Sequence, residues 1–168
     1  MMRCRSAAER FVAKDLRSWP GLPADCPADG LEDWFPRLVG EGHGTLGSDG
    51  LEYRFHAVMA DGFPEAVRLY TSRGLLAVIR AEYWAVDPAE IAATLDDLGE
   101  PAERQDLVWR YQVIAGGEWV YADRGLAFGV LPETGAIVTA AGFTPCSARV
   151  YSRCYAATET TRELRKRS

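Results

Sequence analysis

Three short landmarks recur in one order along this chain, and any fold proposed for it must accommodate them. Leu46-Gly47, then Leu51-Glu52-Tyr53-Arg54-Phe55, then Tyr70-Thr71-Ser72-Arg73-Gly74-Leu75 come first. Leu98-Gly99, then Leu107-Val108-Trp109-Arg110-Tyr111, then Tyr121-Ala122-Asp123-Arg124-Gly125-Leu126 follow about fifty residues later. Self-similarity at such a period marks a duplicated unit whose apolar face needs a neighbour to cover it. Each stretch closes on an apolar run and then a helix-start signal, Asp87-Pro88 in one and Thr144-Pro145 in the other, with a capping side chain before a proline.

Within each stretch the periodicity is that of strands. Tyr53, Phe55 and Ala57 alternate with Arg54 and His56, and Trp109, Tyr111 and Val113 alternate with Arg110 and Gln112, so one face of each strand is expected to be buried. Turns are expected at Ala60-Asp61-Gly62, Arg73-Gly74, Ala115-Gly116-Gly117, Arg124-Gly125 and Pro132-Glu133-Thr134-Gly135. Helices are expected over residues 6–18, 31–38, 88–98 and 145–155, the first with Phe11, Val12 and Leu16 on one side, the third carrying Ile91, Leu95 and Leu98 at helical spacing.

The fold class this predicts is α+β: two tandem copies of a helix followed by a three- or four-stranded antiparallel sheet, with N- and C-terminal helices. The division is 1–24 (helix and turn), 25–86 (first copy), 87–144 (second copy) and 145–168 (final helix and basic tail), all in one compact body. The Leu98-Gly99-Glu100-Pro101 stretch and the repeat order over residues 25–145 resemble the small units of outer-membrane-assembly lipoproteins, which occur as a tandem pair in the β-lactamase inhibitor protein family. That resemblance implies an architecture and carries no functional residue across.

Composition excludes some classes of partner. A net charge of -5 works against phosphate backbones, and the basic residues gather only in the final turn at Arg162, Arg165, Lys166 and Arg167, so nucleic acid is not expected as a partner. No apolar run approaches bilayer length and the N-terminus is polar, which predicts a cytoplasmic protein without membrane association. Cys4, Cys26, Cys146 and Cys154 show no paired CxxC spacing, so no metal site and no cofactor is expected, and the four are expected to be unpaired thiols.

Five places hold candidate chemistry. Gly42-His43-Gly44-Thr45-Leu46-Gly47 spells a dinucleotide fingerprint, but it follows a helix and precedes a strand, the reverse of the order that presents amide groups to a pyrophosphate; the glycines 40–50 therefore read as a loop. His43 in that loop, near Glu41 and Asp49, is a candidate general base or metal ligand, or else a solvated side chain. A ligand-binding face formed by Arg54, His56, Arg110 and Gln112 follows if the copies face each other. Cys146, in the first turn of the last helix, would have its thiol pKa lowered by the helix dipole and is a candidate nucleophile, although the copy equivalent, Ala89, suggests a small packing residue. Arg73 and Arg124 either pin their turns or bind an anion together.

No complete catalytic set emerges from these residues. The expected function is a noncatalytic binding protein, inhibitor-like or immunity-like, that turns a concave sheet surface toward a protein partner. The alternative is a small cytoplasmic enzyme or carrier acting on a small molecule in the groove between the copies, with His43 or His56 as base and Arg54 or Arg110 as anchor.

Overall fold

The structure is a computed structural model that describes residues 2–17, 19–34, 37–59, 67–82, 88–110 and 112–158. The chain runs α1 (Met2–Val12), α2 (Leu31–Trp34), β1 (Leu38–Leu46), β2 (Leu51–Val58), β3 (Val67–Ser72), β4 (Leu75–Glu82), α3 (Pro88–Leu98), β5 (Glu103–Trp109), β6 (Gln112–Tyr121), β7 (Leu126–Val130), β8 (Ile137–Phe143) and α4 (Ala148–Cys154). All eight strands belong to one antiparallel sheet in the order β1-β2-β3-β4-β8-β7-β6-β5.

This corrects the expected pair of helix-plus-sheet copies. The strands of 25–86 and of 87–144 do not form separate sheets: β4 and β8 hydrogen-bond along their length, from Val78 opposite Phe143 to Glu82 opposite Thr139. The landmarks that suggested duplication also fall on unlike elements. Leu46-Gly47 ends a strand whereas Leu98-Gly99 ends α3. Leu51 to Phe55 lies inside β2, whereas Trp109 and Arg110 lie at the turn from β5 to β6. Tyr70 precedes the β3–β4 turn, whereas Tyr121 ends β6, where a 3₁₀ turn (Ala122–Arg124) leads to β7. Strand-turn chemistry repeats because turns share requirements, and similar dipeptides then recur without a shared fold.

Several local expectations change for physical reasons. The glycine stretch read as a loop is mostly β1, whose Gly40, Gly42 and Gly44 stand at alternate positions; glycine is depleted in strands, so the pattern hides the strand. The predicted strand through Trp109, Tyr111 and Val113 is a hairpin: Trp109 and Gln112 face each other across it, with Arg110 at a φ of 48°. The predicted turn at Ala115-Gly116-Gly117 lies inside β6, where the register against β5 shifts between Gln105 and Leu107. Helix α1 spans Met2–Val12 rather than 6–18, and the helix expected over 31–38 is described over Leu31–Trp34, with Leu38 already in β1. The last helix is capped by Ser147, whose side chain accepts from the Val150 N–H at 3.1 Å, not by Thr144. Helix α3, the β3–β4 turn at Arg73-Gly74 and the β7–β8 turn ending at Gly135 form as expected. The 60–62 turn, the Asp87 cap, Tyr111 and the basic end lie outside the described residues.

Both sheet faces are covered, so the inner strands read as nearly continuous apolar runs; every residue of β7 is buried. On one face α1 lays Cys4, Ala7, Ala8 and Phe11, one stripe at helical spacing, against Leu69, Ile79, Leu126, Phe128 and Ala140, and Leu95 and Leu98 of α3 pack at the edge of this cluster. On the other, Tyr151 of α4 packs with Tyr53, Tyr70, Val78, Val120 and Phe143. The segment between α1 and α2 laces across the sheet: the Leu22 N–H donates to Phe143, and the Leu76 N–H donates to Cys26. Cys26 is disulfide-bonded to Cys4, with their Cα atoms 5.5 Å apart, which corrects the expectation of four free thiols. The two are 22 residues apart in sequence, and α1 brings them together on folding.

Candidate functional site

Antiparallel pairing of β1 with β2 builds the site. Glu41 stands opposite His56 and His43 opposite Arg54, so these four side chains share one face of the hairpin, the face of the α1 cluster to which Val58 belongs. Tyr53, one position from Arg54, points the other way into the α4 cluster. Arg54 donates from Nη2 to Glu41 Oε2 at 2.8 Å, and His56 Nδ1 lies 3.7 Å from the same oxygen. The Arg54 hydrogen bond and charge, with smaller contributions from His56 and His43, hold the Glu41 carboxyl below its ordinary range. Thr71 on β3 donates to the Arg54 carbonyl and fixes the backbone beneath.

These residues line a cleft of about 1030 Å³ completed by Asp29, Glu52, Ser72 and Arg73. Glu41, His43, Glu52, Arg54 and Arg73 are exposed, whereas Tyr53 and Thr71 at the bottom are buried. The cleft is thus broad and wet, with cations and carboxylates interleaved along its walls. His56, beside a carboxylate already paired with arginine, can orient a ligand, and of the two hydroxyl side chains in the lining, Thr71 and Ser72, Thr71 is engaged with the Arg54 carbonyl.

The four-residue face expected from Arg54, His56, Arg110 and Gln112 does not come together. Arg54 and His56 lie on β2 beside one edge strand, while Arg110 and Gln112 lie at the β5–β6 turn at the opposite edge, across the full width of the sheet. Asp49, expected near His43, binds Arg153 of α4 instead, at 2.9 Å. Arg73 and Arg124 are apart as well: Arg73 is exposed in the cleft wall, and Arg124 donates to the carbonyls of Arg17 and Trp19, pinning the N-terminal segment.

Cys146 lies ahead of the Ser147 cap rather than in the helix, half-buried, and burial pushes its thiol up to about 11, the reverse of the dipole effect expected. At pH 7.5 it should react with iodoacetamide at least ~100-fold more slowly than an unperturbed exposed thiol, since only the thiolate attacks. Peptide mapping by mass spectrometry over a time course measures this. Among the described residues no group of three or more His, Cys, Asp or Glu side chains has metal-binding geometry.

A second polar cluster escaped the sequence reading. Arg80 on β4, buried under α4, donates to the Tyr151 hydroxyl at 2.8 Å and to the Tyr155 carbonyl at 2.7 Å. Tyr151 also hydrogen-bonds Glu118 of β6, which is 3% exposed, and burial raises the Glu118 carboxyl against the counteracting charge of Arg80. The available signal was one charge inside each apolar run, Arg80 after Leu75 to Ile79 and Glu118 before Trp119 to Tyr121. Compared with known proteins, the chain matches no family model, no curated protein and no solved structure.

Proposed function

We propose that this protein is a noncatalytic binding protein whose recognition surface is the cleft over β1 and β2. The observation that carries this reading is the character of the walls: exposed Glu41, Glu52, Arg54 and Arg73 interleave carboxylates with guanidiniums, with His56 partly buried among them. Such a surface suits a polar segment of a protein partner, held by hydrogen bonds and complementary charge. The volume of about 1030 Å³ stands at the upper end of small-molecule sites, which favours as second reading a carrier or enzyme that takes a polar small molecule in the same cleft.

The chain's location belongs to the same proposal. Among the described residues no helix is long and apolar enough to cross a membrane. The Cys4–Cys26 disulfide favours an oxidising compartment over the cytoplasm expected from the sequence.

Affinity capture with the wild type and with the Arg54→Glu, Arg73→Glu double variant tests the surface, using Arg104→Glu on β5 as a control far from the cleft. A partner retained by the control and lost by the cleft variant supports the reading, and one retained by both overturns it. Native mass spectrometry of the captured protein distinguishes a bound small molecule. For whichever activity is found, replacing His43 and His56 together with alanine should lower it by less than about tenfold, because losing rim contacts costs about 1 kcal/mol or less whereas losing a general base costs ~10²-fold or more. A hundredfold loss of turnover with an intact circular dichroism spectrum would replace the binding reading with the enzymatic one.

A further inference from the structure

The sheet face opposite the cleft brings two guanidiniums together. Arg68 on β3 stands directly opposite Arg80 on β4, and residues opposite each other in an antiparallel pair project to the same face. That face is the α4 side, since Tyr70 and Val78, two positions along each strand, belong to the α4 cluster. Like charges in opposed positions destabilise a strand pair unless something between them compensates.

Arg80 is 8% exposed, and its bonds to the Tyr151 hydroxyl and the Tyr155 carbonyl both leave from Nη2. Its Nε is buried without a hydrogen-bond partner among the described residues, and so is Nη1 of Arg68, whose guanidinium lies over the Phe55 ring at 4.3 Å. A buried donor left unmade is costly, and more so when charged, so two of them on opposed residues call for an acceptor. The nearby carboxylates are engaged otherwise: Glu118 accepts from Tyr151, and Glu82, next on that face of β4, has an interaction of its own. The row across the sheet continues from Arg68 to Ala57 of β2 and Gly40 of β1, and a Cβ at Gly40 would meet no atom within 4 Å. Small residues thus leave space beside Arg68 that opens toward the β1 edge.

We propose that Arg68 and Arg80 bind the carboxylate of a small organic molecule, one oxygen accepting from Arg68 Nη1 and the other from Arg80 Nε. A carboxylate matches the count, with two oxygens for two unpartnered donors and a single charge between two guanidiniums. The Phe55 ring beneath Arg68 gives the organic part an apolar neighbour. A phosphate dianion carries more charge and more acceptor oxygens than these donors serve, at a larger desolvation cost. The site lies on the opposite face from Arg54 and His56 and does not depend on what the cleft binds.

Titration of the full chain with sodium benzoate, at an ionic strength held constant with sodium chloride, tests the proposal. In proton–nitrogen correlation spectra the Arg80 Nε–H resonance should move saturably, and benzoate at about ten times its dissociation constant should raise Tm by roughly 4 °C. Arg68→Met keeps an unbranched stem over Phe55 while removing the charge, and should weaken binding by about tenfold or more. Arg54→Glu, which alters the cleft, separates binding there from binding on this face. An Arg80 resonance that stays put, equal responses in wild type and Arg68→Met, a response abolished by Arg54→Glu, or a response to inorganic phosphate without one to benzoate would each overturn the proposal.

Discussion

Replacing Arg80 with methionine is expected to lower the free energy of unfolding by about 3–5 kcal/mol, the usual cost of removing one partner from a buried ionic network. Arg80 has no solvent to fall back on: it donates to Tyr151 and to the Tyr155 carbonyl from beneath α4, and its charge opposes the burial that raises the Glu118 carboxyl. The methionine leaves Glu118 buried without that charge and the Tyr155 carbonyl without its donor. For a domain of this size the loss corresponds to a fall in Tm of roughly 10 °C. Combining it with Glu118→Gln should restore part of the stability, because the stranded carboxylate goes with its partner.

The pH dependence of that deficit has a definite sign. The folded-state pKa of Glu118 is raised, first by burial, so the folded protein takes up its proton more readily than the unfolded chain. Its contribution is fully present below the ordinary carboxylate range and is lost as pH rises through the folded value. Removing Arg80 raises that value further, so the difference between wild type and Arg80→Met should shrink as the solution is acidified, and Glu118→Gln should flatten it. Denaturant unfolding of the three proteins across pH measures this. A variant within about 1 kcal/mol of wild type at neutral pH would show that the network does not bind the sheet to α4.

Cys4→Ser is expected to cost about 3 kcal/mol, from the chain entropy that a 22-residue closed loop removes from the unfolded state. The bond fastens α1, which covers one face of the sheet, to the segment hydrogen-bonded to β4, so its loss loosens the lid of the larger core cluster. Dithiothreitol should lower the denaturant midpoint of the wild type and leave the variant unmoved. Alkylation in denaturant, without reduction, of protein drawn from its native source should modify only Cys146 and Cys154, the two free cysteines. Modification of Cys4 and Cys26 as well would show that the bond does not form where the protein works.

Much of the local structure was legible. Arg54 and His56 alternate with Tyr53 and Phe55 in the sequence, and the structure sets the first pair on the cleft face while Tyr53 and Phe55 join the α4 cluster. The Arg73-Gly74 and Pro132 to Gly135 turns announced themselves because positive φ demands glycine or tolerates few others. Glu41 and His43 were visible as neighbours in sequence, but nothing there showed that β1 would carry them against Arg54 and His56. The alternating glycines gave the strand no apolar period to read.

What the sequence by itself determined was therefore the period of the strands, the places where the chain turns, and the apolar stripe on α1. Those follow from steric and hydrophobic preferences acting over a few residues. Only the tertiary structure decided that β4 would pair with β8, which makes one sheet of eight strands and sends Arg54 and Arg110 to opposite edges. It alone joined Cys4 to Cys26 and brought Arg80, Glu118 and Tyr151 together from three distant segments. Such contacts depend on which apolar faces can cover one another once the long loops between them close, a choice shared by the whole chain and written in no single stretch of it.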